Sequence, residues 1–568
     1  MSRLKRTSFL AFVLMTYVAS FFCAFLVNFD YGNVDVKRFA ISGEPEIAAL
    51  TYEPKGVSAN NPVPGIVLCH GISGSKEMMS QIALELAKNG FVAVTIDLVG
   101  HGESGGSFGG FGFDPVDKTL GVSTAVQYLI EKDYIDSSMI GLIGHSLGAG
   151  AVRAAAQIFD NITASVFIGG GLGEPVLASE YGVLNSTFPK NLLIVIGKHD
   201  VLFDLQKTKE ELVLVFGNVS GIIAGEVYGD FHDFSARSFV IPETTHLFEP
   251  SDPVTVTAVV TWMKEALRKE NFVEEVKLTY LNRELAVGVG LIAFVFFMFP
   301  LSSVIFTRFY GYDPTQRVRG KIGDWALFIV WGILGLGLFL PLFFLGSQIP
   351  FPPFLFGNSF SWWLFGIAIV GLVIARFLLT KFSSIKFDLK SIIIKTLATK
   401  NVLNAIIIFA VLYLMVFVAQ RITFNELKIM VIPLFKSLMT PSRILGFFSF
   451  IPFYFAYFLV EGLYFYHYRV PKENSIVDFV QIVTIKVAPY VALILVNYLP
   501  MFLFNFRAFP SFAGFIMEFV LGIIPLFIVT ICSSWWFFRK TNNFGTGVVL
   551  NTLLFAWSSA AIFPFSFL

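Results

Sequence analysis

Apolar positions divide the chain into a short first run, a mixed middle and a long apolar remainder. The first run, Phe9 to Val27, has about the 20 residues that a spanning helix requires and follows Arg3, Lys5 and Arg6. It predicts an uncleaved anchor with its basic flank inside and the next segment exported; Val18-Ala19-Ser20 offers the alternative of a cleaved signal peptide. From Tyr31 to about Tyr280, short buried runs alternate with helical patterns. Two opening strands are predicted between Val34 and Glu53, then strands at Gly65–Cys69, Phe91–Ile96, Ala164–Ile168, Leu192–Ile196 and Ser238–Ile241. Helices are predicted at Lys76–Lys88, Pro115–Glu131 and Pro253–Leu267. This alternation implies a mostly parallel sheet covered on both faces. After Thr279, apolar stretches near 285–306, 324–346, 361–380, 402–420, 444–466, 476–504, 511–536 and 546–566 predict eight further spans, nine in all. The expected organisation is an anchor (1–30), an extracytoplasmic α/β domain (31–280) and an all-α multi-span domain (281–568).

Composition sharpens that division. Of 568 residues, 55% are hydrophobic and 66 are Phe, with a mean hydropathy of +0.71. A soluble chain sits near 45–50% apolar, so the excess calls for a bilayer. A net charge of +1 gives no reason to expect a nucleic-acid partner. Cys23, Cys69 and Cys532 are far apart and read as lone thiols, neither a disulfide framework nor a metal site. With the middle segment outside, the loops at Arg308–Lys321, Lys381–Lys400, His467–Lys472 and Arg539–Lys540 fall inside, and all are basic. The outside loop Arg421–Arg443 carries Arg421, Lys428, Lys436 and Arg443, against the trend; its Leu427–Pro433 portion is a candidate to lie along the interface. The sequons at Asn161, Asn185 and Asn218 all fall in the middle segment.

The chemistry centres on Met139-Ile-Gly-Leu-Ile-Gly-His-Ser146-Leu-Gly-Ala-Gly150. An apolar run enters Gly-His-Ser-Leu-Gly and a small-residue helical run, Ala149 to Ala156, leaves it. Gly144 and Gly148 flank Ser146, where side chains would collide across so sharp a corner. Gly102-Glu-Ser104-Gly-Gly106 has the same spacing, but no strand leads directly in and a glycine-rich loop follows, so Ser104 reads as a loop serine. At Ser146 the sequence resembles the α/β-hydrolase superfamily, whose strand–turn–helix elbow presents a nucleophilic serine.

A serine hydroxyl needs a base, itself oriented by an acid. The resemblance implies the order nucleophile, acid, histidine. Asp200 follows the strand Leu192–Ile196 and is the expected acid, with Asp204 its alternative. His246 follows the last strand and is the expected base, with His232 its rival; His70, His101, His145 and His199 read as structural. The resemblance further implies an oxyanion hole made by the N–H groups of Leu147 and Ile72, the latter in His70-Gly-Ile72. Gly169–Lys190, where relatives insert a cap, is short, and the aromatic segment Gly225–Phe234 reads as a packed surface loop, with cleft lining its alternative.

Glu461 and Lys486 lie inside neighbouring spans, where charge is expensive and usually paired. The expectation is thus a membrane-bound serine hydrolase with no cofactor or metal. Its substrate would be an ester, thioester or lipid-linked acyl group. An acyltransferase with the same triad, a peptidase, and a transporter or receptor with a non-catalytic ectodomain are the alternatives.

Overall fold

A computed structural model describes residues 3–109, 117–172, 183–219, 221–268, 276–309, 322–382 and 388–566. Helix α1 (Arg3–Asn28) leads into a nine-stranded sheet. Its strands are β1 (Val34–Ile41), β2 (Ile47–Pro54), β3 (Val63–Cys69), β4 (Val92–Ile96), β5 (Ile135–His145), β6 (Ile162–Ile168), β7 (Leu192–Val195), β8 (Val227–Tyr228) and β9 (Arg237–Val240). The spatial order is β1-β2-β4-β3-β5-β6-β7-β9-β8. The strands from β4 to β9 pair in parallel, and the edges are antiparallel.

Side chains alternate across the sheet with a period of two. Val67 and Leu142 face a core with α3 (Val122–Ile130), α4 (Leu147–Ile158) and α5 (Leu205–Val215). Leu68 and Ile143 face the opposite core with α2 (Ser80–Lys88) and α6 (Pro253–Arg268). The parallel register aligns Cys69 with Gly144, His145 with Ile168, and Val195 with both Ile168 and Val240. Every loop leaving the carboxyl ends of these strands therefore opens on one edge, where open α/β sheets build their sites.

Two helices differ from expectation. The helix expected from Lys76 starts as a 3-10 turn, Lys76–Met79, before α2. The Asp97 carboxylate holds the Lys76 main-chain N–H at 2.7 Å and its Nζ at 2.6 Å, fixing where the chain enters. Helix α3 begins at Val122 rather than Pro115: Gly121 has φ 96°, a left-handed conformation that no helix continues through. Residues 110–116 and 173–182 lie outside the described residues, the second range taking the middle of the expected cap region.

Beyond the sheet come α7 (Tyr280–Phe309), α8 (Asp324–Gly332) joined by a π turn to α9 (Phe339–Ser347), α10 (Gly357–Phe382), the short α11 (Leu389–Thr396) and α12 (Thr399–Thr423). A hairpin of β10 (Leu427–Ile429) and β11 (Ile432–Phe435) follows, then α13 (Pro441–Gly462), α14 (Ser475–Phe504), α15 (Ser511–Thr541) and α16 (Gly545–Ile562). Among the described residues, nine helical segments, with α8 and α9 counted as one and α1 included, are long and apolar enough to cross a membrane. Inside this bundle Lys486 donates to Glu461 and lies 3.3 Å from the Thr530 hydroxyl, so the two ionisable groups of neighbouring spans meet.

The segment Leu427–Pro433 is not a strip lying along an interface. It belongs to a hairpin wedged between the two halves, with Leu427, Leu434, Phe435 and Lys436 buried. The basic loop is held by carboxylates of the sheet half: Lys436 pairs with Glu77 at 2.9 Å and Arg421 with Glu103 at 3.5 Å. Arg443, at the start of α13, donates to the carbonyls of Gly102 (2.9 Å) and Gly100 (3.0 Å) in the loop after β4. It also donates to Ala560 at 3.1 Å and to Phe563 at the end of α16. One guanidinium thus ties the end of the chain to the sheet edge, and its five fixed donors suit a cradle of carbonyls.

Candidate active site

Strand β5 and helix α4 meet at Ser146 with no intervening loop. Ser146 sits at φ 51°, ψ −114°, a conformation that side chains rarely adopt. The flanking glycines are required by space: a Cβ on Gly144 would lie 2.2 Å from the Gly148 carbonyl oxygen, and one on Gly148 2.6 Å from that of Cys69. A Cβ on Gly71 would lie 2.8 Å from His145 Nδ1, so the loop after β3 can approach the elbow only as glycine. The tight corner leaves the Ser146 hydroxyl at the open sheet edge.

The structure brings Ser146, His246 and Asp200 together. His246 Nε2 lies 3.0 Å from Ser146 Oγ, and His246 Nδ1 lies 2.8 Å from Asp200 Oδ2. The other carboxylate oxygen of Asp200 accepts from the Leu202 N–H at 2.6 Å. His246 and Asp200 are both buried. Ile72 and Leu147 border the same corner, Ile72 in the loop after β3 and Leu147 as the first residue of α4, where main-chain N–H groups lack helical partners.

The rejected candidates have other work. His232 is exposed, on a turn around Asp230, and Asp204 caps α5 by accepting from Gln206 and Lys207. Ser104 is buried, donating to the Asp97 carbonyl at 2.6 Å and accepting from Ala48 at 2.9 Å. His70 is held neutral, its pKa pushed down to about 4 by burial. Its Nε2 accepts from Leu98 and its Nδ1–H donates to the Gly71 carbonyl at 2.6 Å, which fixes the loop carrying Ile72. His145 is held neutral by burial and then by His246, and reaches the His246 carbonyl at 3.0 Å. The loop at Gly225–Phe234 does not reach the site; it carries the two-residue β8, paired to β9.

Two carboxyl groups went unread in the sequence. Glu249, three residues after His246 on the same 3-10 turn, accepts from the Gly197 N–H at 2.6 Å. Burial, and next the Asp200 carboxylate, push its pKa well above the usual range. The ligand atoms of His145, His246 and Glu249 lie within 4.8 Å of one another, the spacing of a metal cluster. His246 Nδ1 is already committed to Asp200 and His145 Nε2 to the His246 carbonyl, which makes this a hydrogen-bonded support for the histidine. The second, Glu518 on α15, accepts from the Tyr498 hydroxyl beside the site. An ionisable group inside an apolar span is the signal that singled out Glu461 and Lys486, and it applied to Glu518 equally.

Membrane helices roof this edge. Phe515 of α15 stands edge-on to the His246 ring, centroids 5.9 Å apart, and Arg507 reaches the Asp200 carbonyl at 3.3 Å. A cavity of about 110 Å³ opens from Ser146 and His246 between the sheet edge and α10, α13, α15 and α16.

Comparison with known proteins agrees with the fold. Residues 60–193, which include Ile72, Ser146 and Leu147 but end before Asp200, match the family model described as serine aminopeptidase, S33. The chain is 34% identical over 121 residues to "Uncharacterized protein YcjY" of Escherichia coli (strain K12), covering 21% of this chain and 39% of that protein. It is 29% identical over 143 residues to "Putative esterase YitV" of Bacillus subtilis (strain 168), covering 24% of this chain and 54% of that protein. The matches thus span from about two fifths to about half of those relatives' length. The solved structure titled "The structure of DcsB complex with its substrate analogue" aligns over 41% of this chain and 99% of that one, at 16% identity and a TM-score of 0.30. The sheet half has an α/β-hydrolase-like fold, part of which matches that family model, and it is joined to a helical half built of membrane-length spans.

Proposed function

We propose that the protein is an integral membrane serine hydrolase that cleaves the ester of a lipid or lipid-linked acyl substrate. The observation that carries this reading is the hydrogen-bonded series Ser146–His246–Asp200 opening onto a cavity whose opposite wall is membrane helix. Ser146 Oγ attacks the ester carbonyl carbon as its proton passes to His246 Nε2. Asp200 holds the Nδ1–H and stabilises the imidazolium. The N–H groups of Ile72 and Leu147 receive the developing oxyanion. Collapse expels the alcohol, which takes the proton from His246, and water then enters by the same base to release the acid.

The family model's name raises aminopeptidase action as a second reading. The apolar lining favours an acyl group over a peptide, whose amides would need partners there. The hydrolase half would lie on the extracytoplasmic side, as the basic loops at His467–Lys472 and Arg539–Lys540 suggest. The contrary charges Arg421, Lys436 and Arg443 are paired with the sheet half, which removes them from that count.

A fluorophosphonate should label Ser146 in the full-length protein. Ser146→Ala should abolish labelling and Ser104→Ala should retain it. Labelling that persists in Ser146→Ala would refute the assignment.

A further inference from the structure

The cavity holds its histidine and carboxyl groups at one end. Ser146, His246 and Glu518 border it where the sheet edge meets α15. From there it follows one face of α15 through Phe515, Phe519, Gly522, Ile523 and Leu526, the spacing of a helical stripe. From Phe515 to Leu526 the helix rises about 16 Å, eleven steps of about 1.5 Å.

Ring contacts set the depth of the other walls. Phe563 and Phe360 stand level with Phe519, at centroid distances of 6.4 and 6.2 Å. Phe555, two turns earlier on α16, stands level with Phe527 at 5.4 Å. The cavity therefore descends from the site into the bundle rather than running along the surface between the two halves. The polar groups on its deeper walls are satisfied: the Tyr454 hydroxyl and Ser559 Oγ bond each other at 2.7 Å. At the top, one Glu518 oxygen has no partner among the described residues.

Resting on the serine hydrolase reading, we infer that this cavity is an acyl-chain site built from the membrane helices. The ester carbonyl lies at Ser146, and the chain extends down the α15 face into the bundle. A slot with polar groups at one end and aliphatic and aromatic walls beyond suits a linear amphiphile entered head-up. Burying its chain there keeps apolar surface from water, a gain that grows with chain length. The helices thus supply one wall of the active site, and the scissile group and its tail are held by different halves of the protein.

The test uses the full chain in nanodiscs and an alkyl fluorophosphonate with a diazirine near the end of a long alkyl chain. Ser146 Oγ displaces fluoride from phosphorus, its proton passing to His246, so the chain is tethered before illumination. Crosslinks mapped to Phe519–Leu526 or Phe555–Phe563 are the expected result. Crosslinks only to lipid, or only to the sheet half, would overturn the acyl site while leaving the hydrolase reading intact. Absence of a Ser146 adduct, with a short ethyl fluorophosphonate as well, would instead refute the hydrolase reading. As a second measurement, the labelling-rate ratio of dodecyl to ethyl fluorophosphonate should exceed tenfold. Gly522→Phe, which fills the slot one turn below Glu518, should bring that ratio near one. An unchanged ratio overturns the proposal.

Discussion

Glu426 is buried between the halves, directly before the first residue of β10, and its replacement by Gln has a pH-dependent effect that can be worked out in advance. Its Oε2 lies 3.5 Å from Ser75 Oγ, with Lys436 and Glu77 close by. Burial, then the Glu77 carboxylate, push its pKa up to about 7 from an ordinary 4.5; Lys436 and Lys428 pull it back only in part. An acid whose folded pKa is raised binds its proton more tightly folded than unfolded. The stability this carries is present below pH 4.5 and is lost as pH rises through 7. A shift of about 2.5 units, at 1.36 kcal/mol per unit, makes the full loss about 3 kcal/mol. It is about 1 kcal/mol at pH 5 and nearly complete at pH 8.5. Gln has the shape of the protonated acid and cannot ionise. Thermal unfolding in detergent, followed by tryptophan fluorescence from pH 5 to 9, should show Glu426→Gln gaining on the parent by about 2 kcal/mol across that range. The difference between the two curves cancels the other titrating groups. A constant offset, or a gain toward acid pH, would refute the reasoning.

Three further outcomes are expected. His246→Ala and Asp200→Asn should each lower ester turnover by about 10⁴-fold with the unfolding temperature little changed, whereas His232→Ala should leave turnover intact; the reverse pattern would remove His246 as base. Lys436→Ala leaves Glu77 buried without one of its cations and should cost about 3–5 kcal/mol, read as a lower unfolding temperature and earlier proteolysis between the halves. Cysteines placed on exposed positions of the sheet half, such as Asn218, should react with an impermeant thiol reagent in intact cells, and those in Lys381–Lys400 should not; the opposite result inverts the topology.

The parts of the fold that could be read in the sequence are those decided locally. The elbow was legible because two glycines and a strand-to-helix change are conditions on adjacent residues, and the clashes at Gly144 and Gly148 are with that same corner. Asp200 and His246 were legible because each follows a buried run at the carboxyl end of a strand. Asp204 was a harder reading: an acid before a helical segment is as much a cap as a catalyst, and here it is the cap of α5. The two-residue β8 is too short for any period to register. Least legible was what the halves do to each other. Lys436 and Arg443 read as loop charges because their carboxylate and carbonyl partners lie more than 300 residues away in sequence. Phe515 read as an ordinary span residue because the His246 ring it faces belongs to the other half.

Those long-range pairs explain why the α/β sheet and the helical bundle are joined at this particular edge. The carboxylates Glu77, Asp97 and Glu103 cluster beside the loop after β4, and among its described residues the sheet half pairs Lys76 and Arg38 against them. Lys436 is the third cation, brought in from the membrane half, and Arg421 approaches Glu103 at the rim. Three buried acids facing two bases would be a costly surface to present to solvent or lipid, whereas the hairpin balances the charge and excludes water at once. The same docking sets Phe515 on the His246 ring and places α15 alongside Ser146. Charge therefore fixes which way the bundle sits, and that orientation turns an apolar helix face into a wall of the site. A substitution in the ionic cluster should be felt at Ser146 without touching it, through the position of α15 rather than through the chemistry of the serine, because a small misplacement of a positioning wall is enough to slow a reaction.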